Sequence, residues 1–279
     1  VYKESNEHII EYALEKKKML DGSLPRYLVA SALAGVYVGI AVILMFSVSG
    51  PLYAAQSPFT TWMMGTSFGI ALTLVVFAGA ELFTGNNMAF AISTYSGATT
   101  WKDTFRNWFW CWVGNFLGAA LFAVLIWRSG IMAGGALEQM MHIAHKKMHL
   151  PFEQLFFRGI LCNWLVCLAI WTAKRTKSDA AKLILIFWCL FAFISSGFEH
   201  SIANMTTLTL SLLLPHASDI TVGGLVHNLI PVTLGNIVGG FLFVGTAYWV
   251  ISPIRSYKAG KETEAVKTSS GEKKAAARG

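Results

Sequence analysis

The chain has 279 residues, of which 54% are hydrophobic and only 13% charged, with a formal net charge of +7. Soluble domains carry about 25% charged residues, so the composition argues against an ordinary water-soluble fold. The basic excess does not point to nucleic acid either, because Lys and Arg collect at the chain ends and in short connections between apolar runs, where they encode membrane topology.

In residues 1–25, Ile9, Ile10, Ala13, Leu14 and Leu20 are interspersed with Glu, His and Lys, which predicts an amphipathic cytoplasmic helix lying on a membrane surface or against another subunit. The segment has no continuous apolar core, so no cleavable signal peptide is expected. Six apolar runs follow, at about 27–49, 60–93, 106–128, 153–173, 183–214 and 223–251, each near or above the ~20 residues a spanning helix needs. They predict a six-helix transmembrane domain over 26–252, followed by a disordered cytoplasmic tail, 253–279. Cys111, Cys162, Cys167 and Cys189 lie inside these runs without zinc-type spacing and are expected to be free packing residues.

Runs two and five are too long for one simple crossing, and both carry a polar interruption: Glu81-Leu82-Phe83-Thr84-Gly85-Asn86 in one, Phe198-Glu199-His200-Ser201-Ile202-Ala203-Asn204-Met205 in the other. A carboxylate, an imidazole and an amide at membrane depth are expensive and mark a cavity or a solute path. We read both runs as broken helices, the fifth carrying the working site of a channel or transporter. Charge fixes the orientation: with both termini cytoplasmic and six spans, only Arg128, Lys146, Lys147 and Arg158 fall outside. The halves repeat each other. Gly114-Asn115-Phe116-Leu117-Gly118 matches Gly235-Asn236-Ile237-Val238-Gly239, and Glu81…Asn86 matches Glu199…Asn204 at nearly the same offset. Three spans per half make the repeat inverted, with the two broken helices meeting near the bilayer midplane.

His200 is the first candidate residue. Imidazole is the side chain whose charge changes near neutral pH, so at the midplane it is a candidate to pass a proton to an anion; the plainer alternative is a buried neutral ring bonded to a neighbour. The functional reading requires the ring to be reachable from both aqueous faces, with aromatic side chains free to swing. Thr84, in the opposing loop, either holds an anion beside His200 or closes its own loop. Glu81, Glu199, Asn115, Asn163, Asn204 and Asn236 are expected to satisfy interrupted backbone, because each orphaned group at this depth costs several kcal/mol. Asn163 and Asn204 are also candidates to line the pore, and Glu199 and Asn236 to back His200. His142, His145 and His149 have helical spacing, but nothing else in their segment supports a metal; no metal or cofactor is expected.

Through the two interruptions, together with Leu161-Cys162-Asn163-Trp164-Leu165-Val166-Cys167-Leu168-Ala169 and Asn228-Leu229-Ile230-Pro231-Val232-Thr233-Leu234-Gly235-Asn236, the chain from about 25 to 252 resembles the formate/nitrite transporter family. The resemblance implies an all-α, aquaporin-like fold of six transmembrane helices and a homopentamer in a bacterial inner membrane, in contact with lipid. It also implies one pore per subunit for nitrite, formate or hydrosulfide. Residues 66–75 and 164–171 are most like the nitrite branch, whereas the segment after Pro231 looks formate-like and Arg158 stands where that branch usually has lysine. By the same resemblance Lys147 belongs to the outer vestibule, where a cation concentrates anions. Phe68, Leu72 and Phe193 match an outer constriction, and Leu82, Phe83 and Val166 an inner one; as bare residues all six would be ordinary core. An apolar slit blocks hydrated ions by dewetting, and a neutral acid escapes most of the cost a bare ion meets there. The residues favour other classes less. There is no nucleophile elbow or cofactor fingerprint for an enzyme, no Asn-Pro-Ala box for a water or glycerol pore, and no paired pore histidines for an ammonium pore.

Overall fold

A computed structural model describes residues 2–255 and Tyr257, so most of the expected tail lies outside the described residues. The regular elements among them are all helices. Helix α1 (Lys3–Gly22) buries Ile9, Ile10, Ala13 and Leu20, as the amphipathic pattern predicts, but also Asn6 and Lys16. Helix α2 (Leu24–Ala54) follows after Ser23, whose hydroxyl accepts from the Arg26 amide. The second run is interrupted as expected: α3 (Thr60–Phe68), α4 (Ile70–Leu74) and a π-helical turn (Val75–Gly79) end at Ala80, and α5 (Phe83–Tyr95) restarts after Leu82. Helix α6 (Trp101–Ser129) opens with a capping box in which Thr100 and Asp103 each satisfy the other's backbone amide.

The segment expected outside holds a helix, α7 (Gly134–His149), and leads through Pro151 into α8 (Phe152–Ala173). The fifth run is split into α9 (Asp179–Ser195) and α10 (Ser201–Leu213). The last begins as α11 (Val222–Val238), widens into a π-helical stretch over Gly239–Thr246, and ends as α12 (Ala247–Ile251). Five helical segments among the described residues, at 24–54, 60–79, 101–129, 152–173 and 222–251, are long and apolar enough to cross a membrane. The fifth expected run fails that test because its break leaves two pieces of 17 and 13 residues.

Both breaks are made the same way. A glycine in the left-handed region stops each first half, Gly79 at φ 81° and Gly197 at φ 72°, where any Cβ would be strained. The residue after each bonds back to the turn it leaves, Ala80 N to Val75 O at 3.1 Å and Phe198 N to Phe193 O at 3.0 Å. Around the breaks, α2 packs on α6 and α8 on α11 with backbones in contact: a Cβ on Gly118 would lie 1.9 Å from Ala32 O, and one on Gly235 2.2 Å from Phe156 O. The opposite faces of α6 and α11 expose rows of apolar side chains, among them Phe105, Phe109, Leu117 and Leu121, and Val222, Val226, Ile230 and Leu234. Helices apolar on the outside as well as the inside suit a lipid environment rather than water.

Candidate functional site

Each break leaves backbone groups without a helical partner, and one buried asparagine answers for each. Asn115 Oδ1 accepts from Phe83 N at 3.0 Å, while its Nδ2 donates to Ser31 O and Glu81 O, both at 2.8 Å. Asn236 Oδ1 accepts from Ser201 N at 2.9 Å, and its Nδ2 donates to Gly159 O at 2.8 Å and Glu199 O at 2.9 Å. The break amides themselves reach the neighbouring helix, Glu81 N to Ala30 O and Glu199 N to Arg158 O. The chemical need is the one foreseen from sequence: an amide side chain is the donor–acceptor unit that can stand in for a missing peptide.

The carboxylates have matching partners too. Glu199 Oε2 accepts from Lys147 Nζ at 2.8 Å and from Asn204 Nδ2 at 2.6 Å; Asn204 Nδ2 also reaches Asn228 Oδ1 at 2.8 Å. Glu81 Oε2 accepts from Lys16 Nζ at 2.7 Å and from Asn86 Nδ2 at 3.4 Å; Asn86 Nδ2 also reaches Asn107 Oδ1 at 3.0 Å. Lys147 is thus the partly buried ion-pair partner of Glu199 at the edge of a cavity. Burial works to pull the Lys16 ammonium down, but the Glu81 carboxylate and Tyr12 beside it outweigh that and hold it above the usual lysine range. Lys16, Asn107 and Asn228 escaped the sequence reading. A signal for Lys16 was present: Ile9, Ala13, Lys16 and Leu20 share one face of α1, so the lysine sits on the buried stripe.

His200 stands at the start of α10, and its ring does what a serine or aspartate usually does there. Nδ1 accepts from the Ala203 amide at 3.2 Å, and Nε2 lies 3.1 Å from Thr84 Oγ1 at the start of α5. A nitrogen that accepts carries no proton, so this geometry assigns the neutral ring with its proton on Nε2, donated to Thr84. The Phe193 ring stacks on the imidazole at 5.9 Å between centroids, and Phe68 meets Phe193 edge-on at 5.7 Å. Glu199 and Asn236 were expected to back the ring; their bonds go instead to Lys147, Asn204 and the backbone on either side of it.

A cavity of about 620 Å³ reaches this point from the α7 side, lined by Phe68, Phe193, His200, Asn204, Lys147 and Arg158 among others. A second, of about 410 Å³, enters from the α1 side and is lined by Tyr12, Lys16, Val75, Gly79, Glu81 and Lys174 among others. His200 lines the first and not the second, so the expected access from both faces is met on one side only in this conformation. The physical reason is the Thr84 bond, which turns the polar edge of the ring toward a fully buried hydroxyl. Leu72, Leu82, Phe83 and Val166 are all buried and line neither cavity. Leu82 precedes α5 as His200 precedes α10, which makes the two apexes of the breaks an alkyl chain and an imidazole. Asn163, a pore candidate, also lines neither cavity; its Nδ2 donates to Thr84 O, Asn87 Oδ1 and Asn236 O, tying the second break to the first.

Residues 3–250 match the family model described as "Formate/nitrite transporter". The chain belongs to the formate/nitrite transporter family. With its run of long apolar helices, this makes it a multi-pass membrane protein. It is 45% identical over 226 residues to "Nitrite transporter NirC" of Escherichia coli (strain K12), covering 81% of this chain and 83% of that one. Among solved structures it is similar to an "FNT family ion channel", with a TM-score of 0.85 and 39% identity over 90% of this chain and 99% of the other. It is also similar to a "Pentameric formate channel with formate bound", with a TM-score of 0.71 and 31% identity over 82% of this chain and 97% of the other. Family membership accounts for the paired breaks as parts of one transport fold rather than two independent polar defects.

Proposed function

We propose that this family member is a channel for small monovalent anions, nitrite first, formate second and hydrosulfide third. In this reading it works as a homopentamer in a bacterial inner membrane with both termini cytoplasmic. Each subunit has six spans in two inverted repeats and its own pore. The observation that carries the reading is the His200 ring at the floor of a cavity whose wall holds Lys147 and Arg158. Nitrite is placed first because of the 45% identity to a nitrite transporter, and formate second because a similar structure is a formate channel. The pentamer rests on that same relative, a pentameric formate channel.

An anion entering from the α7 side meets the cationic groups of Lys147, which is paired with Glu199, and Arg158 in the cavity wall. At the floor, Nε2–H of His200 is the donor at hand, and an anion exchanging with Thr84 takes over that hydrogen bond. The starts of α5 and α10 meet here, and helix N-termini favour negative charge. Phe68 and Phe193 exclude bulk water from the outer side, and Leu82, Phe83 and Val166 close the way toward the α1 cavity until they part. Transfer of a proton to the anion is a further demand: it needs the ring as a cation, with both nitrogens donating. The Ala203 amide would then lose its acceptor, so the neutral ring acting as donor is the reading we favour.

The experiment is flux into proteoliposomes. Nitrite, formate, hydrosulfide and chloride are compared with and without a pH gradient, in the wild type and in His200→Asn. Nitrite flux that collapses in the variant supports the proposal; unchanged flux with an unchanged pH response overturns it.

A further inference from the structure

Away from the pore axis, the outward-facing surface of α7 holds a second group of chemically able side chains. His145 and His149 lie one turn apart, their rings stacked with centroids 4.4 Å apart and planes inclined by 29°. Asp219, from the connection between α10 and α11, approaches the same spot, with Oδ2 2.7 Å from His145 Nδ1. One ligand atom from each of the three lies within 4.8 Å of the others, and all three residues are exposed.

We propose that His145, His149 and Asp219 bind a divalent transition-metal ion of the zinc type. The donor set is two imidazoles and one carboxylate, the borderline nitrogen–oxygen mixture that such ions take, with water completing the shell. Two histidines at i and i+4 present their rings on one helical face, the spacing used for chelation on helices. The third ligand comes from another connection, so the ion would cross-link α7 to the segment entering α11. Orientation is partly set in advance. His149 Nδ1 donates to the His145 carbonyl at 2.8 Å, which fixes that tautomer and leaves Nε2 with its lone pair. At His145 the ion takes the place of the proton between Nδ1 and Asp219, and the ring proton moves to Nε2. His142 is not part of the group: its ring lies by Tyr53, at 6.0 Å between centroids. Lys146 is exposed next to the site and opposes a cation, so binding is expected to be moderate and to need the Asp219 charge. Because α7 also carries Lys147 and lines the anion cavity, a metal here would stiffen the lip of that cavity.

The test uses the purified full chain in detergent without a histidine tag. Zinc chloride is titrated against a chromophoric chelator, and its effect on the melting temperature is measured in parallel. One ion per chain is expected, with affinity weakened at least tenfold in His149→Ala and in Asp219→Asn, while His142→Ala matches the wild type. A zinc-dependent rise in melting temperature should vanish in the same two variants. Both changes fall on exposed side chains, and an unaltered melting temperature without zinc verifies that they fold. Equal zinc binding in all four proteins, or none in the wild type, overturns the proposal. Because the readout is binding, the outcome is independent of which anion is transported.

Discussion

The two helix breaks are the same device finished differently. Each has a left-handed glycine, an asparagine with two bonds to the interrupted backbone and one to a neighbouring helix, and a buried carboxylate shared between a lysine and a second asparagine. They differ at the apex, Leu82 against His200, and in the source of the cation: Lys16 arrives on the N-terminal helix α1, Lys147 on α7. The shared parts serve stability, since they answer needs any broken helix has in lipid. The unshared parts are where the proposed function resides.

The sharpest way to break this comparison is to remove the shared scaffold. Asn115→Leu and Asn236→Leu each remove three buried hydrogen bonds and leave one break amide, Phe83 N or Ser201 N, without its acceptor, at about 1–3 kcal/mol for that group. Both variants should lose their monodisperse peak in size-exclusion chromatography to the same degree. A variant that stayed intact while its twin fell apart would show that the likeness is only superficial. Next come the apexes. His200→Asn should cut nitrite flux ~10-fold or more, about 1.4 kcal/mol in barrier height, and flatten its pH response. Leu82→Met, close in volume, should stay near wild type. A smaller contrast separates the lysines. Lys147→Ala should raise the half-saturating anion concentration several-fold and weaken its dependence on ionic strength, whereas Lys16→Met should act on α1, seen as lost hydrogen-exchange protection over Lys3–Gly22. Because the Lys16 ammonium is held above its ordinary value, the Lys16–Glu81 contribution is fully present below the usual lysine pKa of ~10.4. It is lost only as pH climbs through the raised value, so α1 should stay docked from pH 6 to 9. Smallest is Asp21→Asn. Asp21 is held below its usual value first by Lys17, then by Arg106, so the pairs act above that value and fade as pH falls through it. Both are exposed and worth at most ~1 kcal/mol, a change in melting temperature barely separable from the wild type.

The parts of this design legible in the sequence were those that repeat or that violate their surroundings. Asn115 and Asn236 were visible because both sit in a Gly-Asn-x-x-Gly frame, and Glu81 and Glu199 because a carboxylate is anomalous in an apolar run. Lys16 was hidden by composition: the three neighbouring lysines at 16–18 were read together as topology charges, although only Lys16 falls on the buried stripe. Helix α7 was read as an outer connection because its apolar content is too low to span. The roles of Asn163 and of the Thr84 hydroxyl depend on side-chain direction across a long-range contact, which no local pattern encodes. The join between His145 and Asp219 is hidden for the same reason.

One detail at the apex of the second break reaches further than its size. Since the imidazole also anchors the first turn of α10 through Ala203, its chemistry and the local backbone cannot change independently. A proton placed at that nitrogen would take away the amide's acceptor and so loosen the first turn of α10. Acid-dependent behaviour of this protein should therefore be visible as movement before it is visible as current, with the Ala203 amide as the reporter to watch.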